Sequence, residues 1–284
     1  MFRLFIGLAL LTVAILGANS SVSANYFESI REWQKQRDAA LRSEDGWLTL
    51  AGLFWLKPGD NTIGSADSND FVLPKGSAPA QIGRLRLSGE RVIFTSVDGS
   101  SRALSYDEEK PDVVRAGSIS LFVIKRGDRL GIRAKDSASS VRKNFQGLKF
   151  FPVRPEFRFQ AKIIPHVKKI PILSVLGQTD LEESPGIVEF MYRGQLYHLR
   201  PIYEGKTLFF LFKDPTNKTQ TYPAGRMLNT ALPVNGIVDL DFNKSYNPPC
   251  TFTPYATCPL PPKENTIAAP IEAGEMRYGK GHPE

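Results

Sequence analysis

Three groups of side chains in this sequence are spaced so that they could do chemistry. Asp239 and Asp241 lie two residues apart in an apolar run, so on a strand both carboxyls would share one face. Such a pair serves as general acid and base when its surroundings drive the two pKa values apart. Cys250 offers a thiolate nucleophile with His198 as base, although the sequence supplies no evident third residue to orient the histidine. Arg226, close behind Tyr222, carries a planar guanidinium fork suited to a carboxylate or phosphate. The alternative for Arg226 is an internal salt bridge to Asp239 or Asp241, tying a strand to the loop that follows.

That loop, Asp241 to Pro262, holds both cysteines and six of the 21 prolines. Each proline fixes its own φ near −65° and pushes the preceding residue out of the helical region. The segment can be neither helix nor central strand and is expected to be a stiff, extended loop placed for a site or for structure. Tyr222, Arg226, Asp241, Asn243, Tyr246, Asn247, Asn265 and Glu272 form the candidate ligand-binding set. One cation among neutral hydrogen-bonders beside a rigid loop resembles a binding site for a small polar or anionic ligand more than a catalytic triad. The alternatives are plainer: Tyr246 and Asn247 as turn-formers before Pro248, and Asn265 and Glu272 as caps for exposed backbone groups.

Cys250 and Cys258, spaced C-x7-C, read first as a disulfide in an exported chain, with free or reactive thiols as the alternative. Two thiolates are too few for a structural zinc site, and His166, His198 and His282 have no spacing that suggests a shared metal. No metal site and no cofactor motif is read. The disulfide would pin the proline loop against the strand ending at Phe242.

Export is expected from the N-terminus. Met-Phe-Arg leads into an apolar run from Leu4 to Ala18 and then to Val22-Ser23-Ala24, the pattern of a secretory signal peptide. The run is shorter than the roughly 20 apolar residues a membrane span needs, so the cleaved protein would be periplasmic or extracellular and not integral to a membrane. The alternative is an uncleaved N-terminal anchor. Loss of Arg3 lowers the formal net charge from +7 to +6. The remaining cations are scattered, which fits a solvated basic surface and gives no sign of specific nucleic-acid binding. Oligomeric state is not legible.

The elements that must position these residues are mostly strands. Tyr26 to Ser43 has Phe27, Ile30, Trp33, Ala40 and Leu41 at helical spacing, ending before Asp45-Gly46. Beyond it, short apolar runs alternate with Gly-containing turns, including Arg126-Gly127-Asp128 and Arg193-Gly194-Gln195, both hairpin-like. Leu208 to Phe212 is apolar throughout, as in a strand buried on both faces. Trp47 and Trp55 read as core rather than as a carbohydrate platform. Phe151 to Pro155, with two prolines, is the candidate boundary. The fold class expected is mostly β: one N-terminal helix, then two tandem antiparallel units, a sandwich followed by a sandwich or barrel.

Two resemblances bear on this. Trp33, Gly46-Trp47-Leu48-Thr49-Leu50-Ala51-Gly52-Leu53-Phe54-Trp55-Leu56, Asp214-Pro215-Thr216-Asn217, Tyr222 with Gly225-Arg226, Asp241 through Pro262, Asn265, and Ile271-Glu272-Ala273-Gly274-Glu275 resemble the family called domain of unknown function 1684. Met227 departs from it, since an aromatic commonly follows the Gly-Arg pair. The resemblance implies no activity. Within the first half, Leu56 to Gly64 and Asn69 to Leu73 look like the start of a forkhead-associated β-sandwich. Those domains read phosphothreonine with an arginine, a serine and a histidine. Here Ser65 replaces the arginine and Ala80 stands where the histidine is sought after Ser77, so phosphothreonine binding is not expected.

The organisation expected is therefore a signal peptide (1–24), a helix (25–45), a forkhead-associated-like sandwich (46–150) and a C-terminal β domain with the cysteine loop (151–284). The function expected is binding of a small polar or anionic ligand in the C-terminal domain. A hydrolase using Asp239/Asp241 or Cys250 and a structural cell-envelope module are the competing readings.

Overall fold

The structure, a computed structural model, describes residues 9–107 and 110–279. Residues 1–8 of the expected signal peptide and His282 lie outside the described residues. Helix α1 (Ala9–Arg42) runs unbroken through the expected cleavage point, so it begins well before the Tyr26 start read from periodicity. Its register is as expected, with Ile30 and Leu41 fully buried and Trp33 half-buried against the edge of the Phe150 ring. Among the described residues no helix is long and apolar enough to cross a membrane.

The first β unit contains β1 (Leu50–Trp55), β2 (Gly59–Gly64), β3 (Phe71–Val72), β4 (Gly83–Ser88), β5 (Arg91–Ser96), β6 (Ser101–Leu104), β7 (Val114–Ala116), β8 (Ile119–Arg126) and β9 (Arg129–Asp136). One sheet has the order β3-β2-β4-β5-β6 and the other β1-β9-β8-β7. Alternating side chains from both sheets, such as Ile63 and Leu85 from one and Leu121 and Ile132 from the other, share a single core. The unit is thus a two-sheet sandwich, antiparallel except for the short parallel β2–β3 pair. Gly127 takes a positive φ of 57° in the turn between β8 and β9, as the Arg126-Gly127-Asp128 signal predicts. Ser65 spends its hydroxyl on the Ala78 and Pro79 carbonyls, and Ser77 on Pro74, so these loops close on themselves.

A single helical turn, α2 (Ser140–Lys143), leads to the second unit: β10 (Arg158–Leu173), β11 (Thr179–Tyr192), β12 (Gln195–Leu199), β13 (Ile202–Glu204), β14 (Thr207–Phe212), β15 (Arg226–Ala231) and β16 (Ile237–Asp241). Its sheets run β12-β11-β10-β16 and β13-β14-β15. Arg193 and Gly194 both have positive φ, 51° and 76°, which makes the two-residue turn that fits the twist of a hairpin. Strand β14 is buried on both faces as its composition predicts. Leu208, Phe210 and Phe212 enter the main core, while Phe209 and Leu211 join Ile170, Ile172, Ile202 and Met227 on the other side.

Cys250 and Cys258 are joined in a disulfide. The loop is not pinned against the strand ending at Phe242, however. The Val175 amide donates to the Cys258 carbonyl at 2.9 Å, the Leu260 amide donates to Leu173 at 2.7 Å, and Thr253 donates to Leu50 at 3.5 Å. The loop therefore bridges the tip of the β10–β11 hairpin and the first strand of the other unit, because both offer free backbone groups that six prolines cannot supply to one another. Replacing both cysteines with serine is expected to cost about 2.5 kcal/mol on the loop-entropy account, with less loss where the prolines already stiffen the unfolded loop. Urea unfolding of the variant against the oxidised parent checks this.

Candidate functional site

Arg226 is where the sequence-based site fails. It is wholly buried at the start of β15 and pairs with Asp214, not with Asp239 or Asp241. One guanidinium nitrogen donates to Asp214 Oδ1 at 2.8 Å and to the Ile271 carbonyl at 2.8 Å; the other donates to Ala273 at 2.6 Å. Asp214 also accepts from Thr216 and from the Ile271 amide at 2.8 Å. Its Asx geometry caps the 3-10 turn Pro215–Lys218, so the Asp-Pro-Thr-Asn motif is a turn-former first. The crevice beside Tyr222 and Arg226 is about 10 Å³, room for roughly one water and no ligand.

The other candidates are also engaged by neighbours within the chain. Asp239 is exposed in a two-pronged pair with Arg158, at 2.8 Å on each oxygen, and that pairing holds its carboxyl below the usual range. Asp241 is buried, its oxygens accepting from the Tyr26 hydroxyl at 3.0 Å and from Asn243. Burial first, then Asp241, pushes the Tyr26 phenol up. The two aspartates thus serve different partners. His198 sits on the exposed β12 face with Glu189 at 2.9 Å, and the Cys250 sulfur is bonded to Cys258, so it offers no thiolate. Asn243 spans Tyr26 and the Arg154 backbone, Asn265 spans Arg200 and Leu211, and Glu272 meets Arg154 at 3.2 Å.

Asn247 and Tyr246 lead to the groups that the sequence reading missed. The buried Glu275 carboxylate accepts from the Asn247 amide at 2.8 Å and from Arg37 Nε of α1 at 2.8 Å. Arg37 also donates to the Asn247 carbonyl at 3.1 Å, and its guanidinium lies 4.7 Å from the Tyr246 ring centroid. Burial pushes the Glu275 carboxyl up, against the opposing pull of Arg37.

Arg37 and Tyr246 face a cleft of about 390 Å³ between the two β units, within the usual small-molecule range of roughly 300–1,000 Å³. From the sandwich come Arg126 and Arg133, at the ends of β8 and the middle of β9, and Trp47, which precedes β1. Trp47 and Trp55 are therefore not core. Trp47 is 37% exposed, and Trp55 is half-buried with the Arg129 guanidinium 4.2 Å above its ring. Arg126 Nε and an Arg133 Nη both donate to the Thr257 hydroxyl, each at 3.2 Å. The second unit contributes Phe209, Met227, Tyr246 and, at the rim, Glu204; the cysteine loop contributes Pro249 and Ala256 to Pro259. Burial raises the Tyr246 phenol pKa, keeping it protonated, and its hydroxyl donates to Asn229. No pattern in the sequence links residues 37, 126, 133 and 257, because only the tertiary fold brings them together.

Residues 143–276 match the model of the family described as protein of unknown function DUF1684. The Trp33 and Gly46–Leu56 part of the resemblance lies outside that span. Among solved structures, the solution NMR structure of an uncharacterized protein from Haloarcula marismortui is similar at 28% identity, covering 48% of this chain and 78% of that one, with a TM-score of 0.40. Nothing in these matches names a forkhead-associated domain. The search of curated proteins gives no match.

Two outcomes are expected. Arg226→Met leaves Asp214 buried without its cation and should lower stability by about 3–5 kcal/mol in urea unfolding, with much of the loss recovered in the Asp214→Leu/Arg226→Met double variant. Glu275 has a folded pKa raised above its unfolded value of 4.5. Its protonation therefore favours the folded state fully below pH about 4.5 and progressively less as pH rises through the raised folded value. Stability of the parent minus that of Glu275→Gln should fall across that window; a flat difference between pH 4 and pH 8 would contradict it.

Proposed function

We propose that this chain is an exported protein that binds a small anionic ligand in the cleft between its two β units. The observation that carries the reading is the convergence of Arg37, Arg126 and Arg133 from three elements on one ligand-sized hollow, with Trp47 and Tyr246 beside them. Guanidinium groups in a partly enclosed site bind carboxylate or phosphate through charge-assisted hydrogen bonds. The N-terminal pattern and the disulfide support export. The lining holds no histidine and its one cysteine is bonded, which supports binding over hydrolysis. The first unit is read as a forkhead-associated-like sandwich without a phosphothreonine site.

A second reading, a structural cell-envelope module, is favoured by one observation. Arg226, Asp241, Asn243 and Asn265 are all engaged internally. Thermal-shift screening and calorimetry with simple carboxylates and phosphates separate the two. Binding should weaken as salt rises and drop at least tenfold in Arg126→Gln. No bound anion, or affinity unchanged in Arg126→Gln, would leave the structural module as the better reading.

A further inference from the structure

Alternation along β9 turns Ile132 and Ala134 into the sandwich core and Arg133 and Lys135 out of it. The register sets Phe122 of β8 opposite Arg133, and Ser120 opposite Lys135, so these four share the outer face of the sheet. The end of α1 and the turn before β1 cover that face without filling it. They leave a hollow of about 330 Å³, lined by Phe122, Arg133 and Lys135 from the sheet and by Ala40, Asp45 and Trp47 from the cover. That is room for a small molecule beside the lysine. Lys135 is half-buried there. Its Nζ donates to the Asp45 backbone carbonyl, while the Asp45 carboxylate accepts from the Ser43 hydroxyl at 3.0 Å. Burial lowers the Lys135 ammonium pKa; the Asp45 charge opposes this, and the Arg133 guanidinium two residues away on the same face adds to it. The Phe122 ring, its centroid 5.6 Å from Nζ, favours the ammonium only weakly at that distance.

We infer that Lys135 is a nucleophilic amine and that the hollow captures small aldehydes on it as an imine. A lysine withdrawn from water beside a second, permanent cation is the arrangement that activates an amine toward carbonyl carbon. Free Nζ attacks that carbon and forms the C–N bond as the C=O electron pair moves to oxygen. The oxygen takes up the proton that nitrogen sheds, giving a carbinolamine. Its hydroxyl then leaves with the remaining nitrogen proton as water, and the nitrogen lone pair closes the C=N bond. Aldehyde and amine thus become imine and water, with no oxidant or reductant. The Asp45 carbonyl can hold an N–H of the free amine as it does of the ammonium, which leaves the lone pair for the incoming carbon. Capture by bond formation calls on no cation to bind an anion, so the inference stands apart from the reading of the neighbouring cleft.

The test uses the full-length oxidised protein at pH 7 with propanal or benzaldehyde and sodium cyanoborohydride, which reduces an imine to a stable secondary amine. Peptide mass mapping then gives the labelling rate of each lysine. Lys135 should label at least tenfold faster than Lys168 and Lys169, which stand exposed on β10. Raising the pH from 7 to 10 should narrow that ratio, because a larger share of the Lys135 amine is already free at the lower pH. In concentrated urea the advantage should vanish, since the fold creates it. Without the reductant the adduct should be lost on dialysis, as an imine is. Labelling of Lys135 no faster than that of the exposed lysines would overturn the inference. So would an advantage that survives urea, or one that does not narrow as pH rises.

Discussion

The ion pair of Asp214 and Arg226 is the contact that the C-terminal half depends on. Two charges taken out of water cost several kcal/mol each, and only a full set of partners offsets that. Here the partners are backbone groups of Ile271 and Ala273, as well as the pair itself. The pair therefore fixes the course of the chain at 271–273. That in turn sets Glu275 two residues further on, where it meets Arg37 from the helix at 2.8 Å. The position of α1, and with it the Arg37 guanidinium at the cleft, follows from a buried pair that lies elsewhere in the unit. A charge pair spent on architecture in one place thus positions a second pair, Arg37 with Glu275, at the edge of the cleft.

Local features were legible because local physics decides them. The Arg193-Gly194 turn needs two positive φ values, and β14 needs apolar residues on both faces; each requirement is written in consecutive residues. The register of α1 from Ile30 to Leu41 follows from 3.6-residue spacing in the same way. The partner of Arg226 was not legible, though Asp214 is only twelve positions away. Asp239 and Asp241 are equally good partners by composition, and choosing among them requires knowing that Asp239 faces Arg158 across the β10–β16 pair. The Asp-Pro-Thr-Asn turn offered a hint, since a capping aspartate with spare lone pairs is a natural acceptor.

The binding candidates misled for a related reason. Polar residues gathered near a stiff loop look alike whether they await a ligand or satisfy the loop's own backbone. A proline-rich segment has few amides to give and many carbonyls to satisfy, so asparagine and arginine side chains in its neighbourhood are recruited as internal donors. Arg37 does this at the Asn247 carbonyl, while Asn243, Asn247 and Asn265 brace the loop and its flank from the other side, donating to the carbonyls of Arg154, Met276 and Leu211. Density of polar side chains around such a loop is a sign of bracing before it is a sign of recognition.

What the brace accomplishes is visible at Thr257. It stands one residue before Cys258 and is the meeting point of Arg126 and Arg133. Those two arginines sit on β8 and β9 of the sandwich, while the loop returns to the hairpin tip of the other unit through Val175 and Leu260. A flexible loop would lose entropy each time it ordered around a ligand, whereas prolines and a disulfide remove that entropy from the unfolded chain beforehand. The hydroxyl that accepts from two guanidinium groups is then held in place, so a ligand of the kind proposed would spend less of its contact energy on ordering the loop. Rigidity of the loop and charge in the cleft are for this reason one arrangement: the first keeps the second aimed.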